Sequence, residues 1–250
     1  MKYNIAVLLR EYYEMQGKKS SLNTYIGSWN IKNAMFKHRH EVIKAMIPKG
    51  KGIALDVGCG LGIYSLDIFK SGYEVISLDI SKSYLEKVKK LKGDYISDWH
   101  LIIADAQNIP FRINSIDLIL IVEVLEHLPF FLKALINIVK ILKIGGILVI
   151  SIPSAYSLDE VFLSLSSWEH LHKISPTMLR NFLQANGFIK IEERYFNFMG
   201  YLLSVLPRLK LHFLEYLSLL YWRKIDQIIG MIPLLKLFCW NYAGKYLKIK

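Results

Sequence analysis

The sequence predicts an α/β chain with a doubly wound, mostly parallel seven-stranded sheet. A helical cap precedes the sheet and a helical insertion stands ahead of its last strand. Three observations carry this reading. Apolar runs of strand length alternate with helical stretches from residue 53 to residue 195. The first run, Ile53 to Val57, passes through Gly58, Cys59, Gly60, Leu61 and Gly62 into a helix. The second and third runs each finish at an acid, Asp79 and Asp105.

Taken in order, residues 3–16 and 28–47 read as amphipathic helices joined by Gly17-Lys18-Lys19-Ser20-Ser21. The cluster Lys37-His38-Arg39-His40 reads as a solvated helix face. After the glycine turn, Leu61 to Ser71 reads as a helix closed by Gly72. Tyr73 to Asp79 follows as a strand, and Ser81 is the N-cap of a helix over 82–92 that Gly93 ends. His100 to Ala104 and Ile116 to Val122 are the third and fourth strands. A helix over 130–143 repeats apolar residues at 132, 135, 136, 139 and 142, and Gly145-Gly146 breaks it before the strand Ile147 to Ile152. Residues 154–174 are a long connection of the length typical of lids and binding loops. Ser175-Pro176 opens a helix over 177–186, and Phe188 to Tyr195 alternates as a sixth strand. A final strand lies near 238–249. The organisation expected is a cap over 1–47, a core over 48–196, and a basic, aromatic helical lid with the last strand over 197–250.

With 250 residues the chain can bury one substantial core. Its hydrophobic fraction is 53%, yet charges interrupt every apolar stretch of 18 or more residues, so spanning helices are not expected. Arg10, Glu11 and Glu14 close behind the first apolar patch do not fit a signal peptide. The two cysteines, Cys59 and Cys239, have no metal or disulfide spacing and suit a reducing, cytoplasmic setting. A net charge of +11 suits an anionic partner or a lysine-rich solvated surface.

The glycine turn is Gly-x-Gly-x-Gly. A dinucleotide fingerprint would place its third glycine at position 63, which is Ile63, and Asp56 would repel a pyrophosphate there. With Asp79 and Asp105 at ordered distances beyond it, the segment resembles motif I of class I S-adenosylmethionine-dependent methyltransferases, the small-molecule branch typified by ubiquinone-pathway enzymes. The likeness covers roughly residues 50–190. It implies a Rossmann-like core with S-adenosylmethionine as methyl donor. Asp56, Gly58, Cys59, Gly60 and Gly62 would shape the methionine end of the site. Asp79 with Ile80 would take the ribose, Asp105 with Ala106 the adenine, and Glu123 would approach the donor. Relatives in the ubiquinone pathway bind a divalent ion through a segment similar to Glu123-x-x-Glu126-His127, whereas many others carry Glu-His there without metal. No metal is expected here, and those three residues are the set that would hold one.

Methyl transfer from a sulfonium needs an aligned acceptor and a dry site, and an alcohol or phenol acceptor also needs a base. His172 is the candidate base, with His170 second, and Glu126 and His127 sit where the acceptor should lie. The function expected is methyl transfer to a small or lipid-like acceptor, at oxygen. Contact of the 197–236 region with an anionic membrane surface is a further expectation. Competing readings are an RNA methyltransferase, favoured only by charge, so that nucleic acid is not the expected partner; a nicotinamide oxidoreductase, which the glycine spacing opposes; and a non-catalytic interaction protein keeping the fold, which the intact donor motifs oppose.

Overall fold

The computed structural model describes residues 5–21, 31–93, 97–154, 170–198, 224, 226 and 228–250. Helices α1 (Ile5–Lys19) and α2 (Ile31–Met46) come first. The core then runs β1 (Ile53–Val57), α3 (Ile63–Lys70), β2 (Glu74–Asp79), α4 (Lys82–Lys92), β3 (Trp99–Ile103) and β4 (Ile116–Val122). A single 3-10 turn at Leu125–His127 leads to α5 (Phe131–Ile141), β5 (Leu142–Pro153), α6 (Pro176–Ala185), β6 (Phe188–Phe196) and β7 (Asn241–Lys248).

The seven strands lie in the order β3-β2-β1-β4-β5-β7-β6. β3, β2, β1, β4 and β5 are parallel, and β7 enters antiparallel between β5 and β6. The period of two along β4 explains the layering. Ile119 and Ile121 point to one face, among Leu135, Ile138, Leu179 and Leu183 of α5 and α6. Leu118 and Leu120 point to the other, among Ile43, Met46, Ile68 and Val88 of α2, α3 and α4. With both faces covered, the central strands read as continuous apolar runs. The order of successive strands reverses between the parallel β1 and β4, which opens a crevice at their carboxyl ends.

Ser81 caps α4 by accepting from the Tyr84 N–H, and Ser175 caps α6 by accepting from the Met178 N–H, as the sequence predicts. Other elements depart from it. Gly17 lies inside α1, not in a linker, because the helix crosses α4 so closely that a Cβ there would stand 2.7 Å from Ser81 Oγ. α5 buries Ala134, Leu135, Ile138 and Ile141, which leaves Leu132 and Ile136 of the expected apolar stripe in solvent. β5 begins at Leu142 directly after α5 and carries Gly145 and Gly146 within the strand, where its register with β4 shifts. Most of the 154–174 connection and of the 197–236 insertion lies outside the described residues. Among the described residues no helix is long and apolar enough to cross a membrane.

Candidate active site

The carboxyl ends of β1, β2 and β4 surround a cavity of about 480 Å³, within the range of small-molecule and cofactor sites. Its floor is the glycine turn. Gly58 (φ +68) and Gly60 (φ +51) adopt left-handed backbone that few other residues accept. A Cβ on Gly58 would meet Val124 at 2.5 Å, whereas Gly60 has nothing within 4 Å and faces the cavity. Gly62 does not line it; that glycine lets α3 approach Val88 of α4, which corrects its expected place in the donor site.

Asp56 lines the floor but is held from within the core. Its Oδ2 accepts from Ser65 Oγ at 2.5 Å, Ser65 Oγ accepts from Ser77 Oγ at 2.7 Å, and Ser77 Oγ accepts from Trp99 Nε1 at 2.7 Å. Burial, with Asp79 nearby, pushes the Asp56 carboxyl up to about 7, against the opposing pull of the Ser65 bond. Burial likewise raises the Cys59 thiol well above its usual range.

Asp79 sits at the tip of β2, 7% exposed, and its two oxygens accept from Gly60 N–H and Ser81 N–H, each at 2.9 Å. These bonds fix the carboxylate against the turn, and Asp79 and Ile80 both line the cavity. Burial raises its pKa despite the backbone donors. Asp105, just beyond β3, accepts from the Gln107 N–H at 2.8 Å and the Gln107 side chain at 3.1 Å. Gln107 is tied in turn to α5 by accepting from the Phe130 N–H at 2.9 Å. Asp105 and Ala106 both line the cavity.

The wall opposite was not legible in the sequence. Arg39 of α2 lines the cavity and pairs with Glu123 at 3.1 Å, and the guanidinium lies 5.4 Å from the centre of the Phe36 ring. Burial works against its charge most strongly, but Glu123, Tyr64 and Glu126 together outweigh it and lift the Arg39 pKa above its usual value. The neighbouring His38 is buried at 4% exposure, so the Lys37–His40 cluster is not a solvated face. The signal was present: Met35, Arg39, Val42, Ile43 and Met46 share one helical stripe, and Arg39 interrupts its apolar members. Tyr64, also on the wall, has its hydroxyl pushed up to about 12 by burial. Leu9 and Tyr13 of α1 close the cavity from above. α1 is held there by Glu14, which accepts from Ser81 Oγ, Ser83 N–H and Ser83 Oγ, and by Lys87, which donates to the Gly17 and Ser20 carbonyls.

Glu123 lines the cavity in a left-handed conformation (φ +54), which costs about 1–2 kcal/mol in a residue other than glycine. Three donors hold it: Arg39, Ser151 Oγ at 2.7 Å and Asn241 Nδ2 at 3.0 Å. It is thereby held apart from Glu126 and His127, the residues that with it would have held a metal, had one been expected. Among the described residues, ligand atoms of Glu126, His127 and His170 converge instead, all within 4.8 Å of one another. All three line the cavity. Glu126 is 2% exposed, neither carboxyl oxygen has a hydrogen-bond partner among the described residues, and its Oε1 stands 3.6 Å from His127 Nε2. Burial, then Glu123, raises its pKa well above the carboxyl range. The His127 ring meets His170 at 5.1 Å and Tyr13 at 5.8 Å, both edge-on.

His172 is placed elsewhere. Its Nε2 lies 3.1 Å from the Pro129 carbonyl oxygen, its ring packs on Phe131 at 4.9 Å, and it does not line the cavity. The Leu171 and His172 N–H groups both donate to the Glu126 carbonyl. His172 therefore anchors the segment that presents His170, and the expected base is corrected to its neighbour. A two-residue slip in an irregular segment has no periodic signal to reveal it.

Residues 55–150 match the family model described as a methyltransferase domain. The sheet order is that of the Rossmann-like methyltransferase fold. Relatives of the chain include a demethylmenaquinone methyltransferase of Staphylococcus haemolyticus, 38% identical over 114 residues that cover 44% of this chain and 47% of that protein. An uncharacterised protein of Methanocaldococcus jannaschii is 28% identical over 79% of this chain and 80% of its own length. The chain thus spans about half the length of the demethylmenaquinone methyltransferase it matches. Among solved structures, an S-adenosylmethionine-dependent methyltransferase of Mesorhizobium loti shares the fold at TM-score 0.61 and 16% identity, covering 84% of this chain and 98% of that one. A chain from the complex of the Haloferax volcanii Trm112 methyltransferase activator with a methyltransferase shares it at 0.67 and 15%, covering 97% and 98%.

Proposed function

We propose that the protein transfers the methyl group of S-adenosylmethionine to a small, lipid-like acceptor with a hydroxylated, quinone-like ring. The observation that carries the donor assignment is the placement of Asp79, Asp105 and the glycine turn around one cavity. Asp79, pinned by Gly60 and Ser81, offers two acceptor positions to a pair of ribose hydroxyls. Asp105 suits an adenine amino group, and Arg39 and Tyr64 supply donors for the methionine carboxylate.

Glu126, His127 and His170 then face the acceptor. A hydroxyl gives its proton to the His170 imidazole while its oxygen attacks the sulfonium methyl in line; the S–CH3 bond breaks with its electron pair on sulfur, leaving neutral S-adenosylhomocysteine. Glu126, kept protonated by burial, orients the acceptor by donating a hydrogen bond. The names of the staphylococcal relatives favour the quinone-like ring. Because Glu123 is engaged by Arg39, no step runs through a metal bound by the Glu123-Glu126-His127 set.

Labelled donor incubated with quinone precursors, phenols, lipids and RNA, with and without EDTA, tests this. The expected result is transfer to a hydroxylated quinone precursor, indifferent to chelator and reduced at least a hundredfold by His170→Ala. Transfer to RNA, or activity lost to EDTA and restored by magnesium, contradicts the reading.

A further inference from the structure

The outward side of α5 is apolar and cationic at once. Its exposed residues Leu132, Lys133, Ile136 and Lys140 fall within an arc of about 100° at the helical advance per residue. Leu132 is 46% and Ile136 43% exposed. Phe130, before the first turn, is 70% exposed, and Ile113 and Ile144, near the last turn, are 68% and 64% exposed. Asn114 N–H donates to the Lys140 carbonyl and Ser115 N–H to that of Ile141, so the 112–115 loop lies against the end of the helix. The sequence places no Asp or Glu between Glu126 and Asp159. Among the described residues Lys133 donates to the neutral Asn108 side chain, while Lys143 is offset by Asp117. Lys133, Lys140 and the exposed Arg112 therefore rim the patch with a single sign of charge.

A solvated helix face is polar, whereas this one sets large exposed apolar residues among cations. We infer that this face of α5 docks the protein on an anionic membrane surface, its apolar residues entering the headgroup boundary and its cations meeting lipid phosphates. The charge complementarity of the rim selects that occupant. The patch also reaches the active site: Phe130 N–H donates to Gln107, and Gln107 and Leu128 line the cavity. Docking brings the cavity's edge to the lipid, and this purpose, delivery of a greasy acceptor, rests on the methyl-transfer reading.

Co-sedimentation of the whole protein with vesicles of phosphatidylcholine alone, and of phosphatidylcholine with phosphatidylglycerol, tests the inference. Binding is expected on the anionic vesicles and weakens with salt. Arg112→Gln, Lys133→Gln and Lys140→Gln each lower the partition coefficient about fivefold. Leu132→Ser with Ile136→Ser lowers it further. Affinity for S-adenosylhomocysteine, measured on the same samples, stays unchanged because none of these residues lines the cavity, and its retention also certifies folding. Equal binding to both vesicle types, or no effect of the charge variants, overturns the inference. A dimer in solution that the Leu132→Ser, Ile136→Ser variant converts to monomer, with no vesicle binding, also overturns it and makes the face a contact between copies. Vesicle binding without any binding of S-adenosylhomocysteine supports the docking and counts against the methyl-transfer reading alone.

Discussion

Asp79 holds the backbone of the glycine turn and, in the proposed function, also takes a ligand's hydroxyls. Asp79→Asn keeps the shape but loses the charge that makes such hydrogen bonds strong, each worth about 1.5–3 kcal/mol. S-adenosylhomocysteine affinity is therefore expected to fall at least tenfold in calorimetry, and the melting temperature falls too, because the amide NH2 meets a backbone N–H where a carboxylate oxygen accepted. Asp56 makes a pH prediction. Its folded-state pKa of about 7 stands above the ordinary 3.8, so the folded protein keeps a proton that the unfolded chain has released. The contribution of this group is full below about pH 4 and is lost as pH rises through about 7. Asp56→Asn removes the slope, and the variant should gain a few kcal/mol relative to the native chain between pH 4 and pH 8 in urea titrations without ligand. Asp56, Asp79 and Asp105 were legible in the sequence because strand ends are fixed by local pattern, and a doubly wound sheet gathers them at one edge. Arg39 and Tyr13 were not, because their place depends on how α1 and α2 dock, and His170 ranked second to His172 because an irregular segment carries no periodic signal.

At the scale of the element, the turn and the lid make separate predictions. Gly58→Ala places a methyl 2.5 Å from Val124 in backbone that alanine resists, and should cost at least about 1–2 kcal/mol. Adding Val124→Ala relieves the contact but not the dihedral, so chemical denaturation of the double variant should recover only part of the loss. Glu14→Ala removes an acceptor shared by Ser81 and Ser83, an arrangement that holds the Glu14 carboxyl below its ordinary pKa through the Ser83 bond. Limited proteolysis should then cut within 5–21 much faster, with the core's melting temperature nearly unchanged. The helix caps at Ser81 and Ser175 were readable because capping is local. The buried side of α5 was misassigned because its sequence carries two overlapping apolar stripes, and only the position of the sheet chooses Ala134, Leu135, Ile138 and Ile141. Gly17 continues α1 where the sequence predicts a linker for the same reason: packing on α4 overrides its low propensity.

At the scale of the molecule, the alternation of apolar runs and helices sufficed for the sheet, including an antiparallel last strand. It did not convey that β7 binds the site's wall to the far edge. Asn241, at the start of β7, donates to Glu123 and accepts from Asn197, whose N–H donates to Asp226. The end of β6 and the C-terminal segment are in this way connected to the donor cavity through buried hydrogen bonds between residues far apart in sequence, which no local pattern encodes. The whole account stands on the cavity at the β1–β4 reversal being the seat of an adenosyl donor. Calorimetric titration of the native protein and of Asp79→Ala with S-adenosylhomocysteine, and of the native protein with NADH, tests this most directly. One equivalent of S-adenosylhomocysteine should bind the native chain, the variant should bind it at least tenfold more weakly, and NADH should give no heat. Binding of NADH in its place, or S-adenosylhomocysteine affinity indifferent to Asp79, would contradict it.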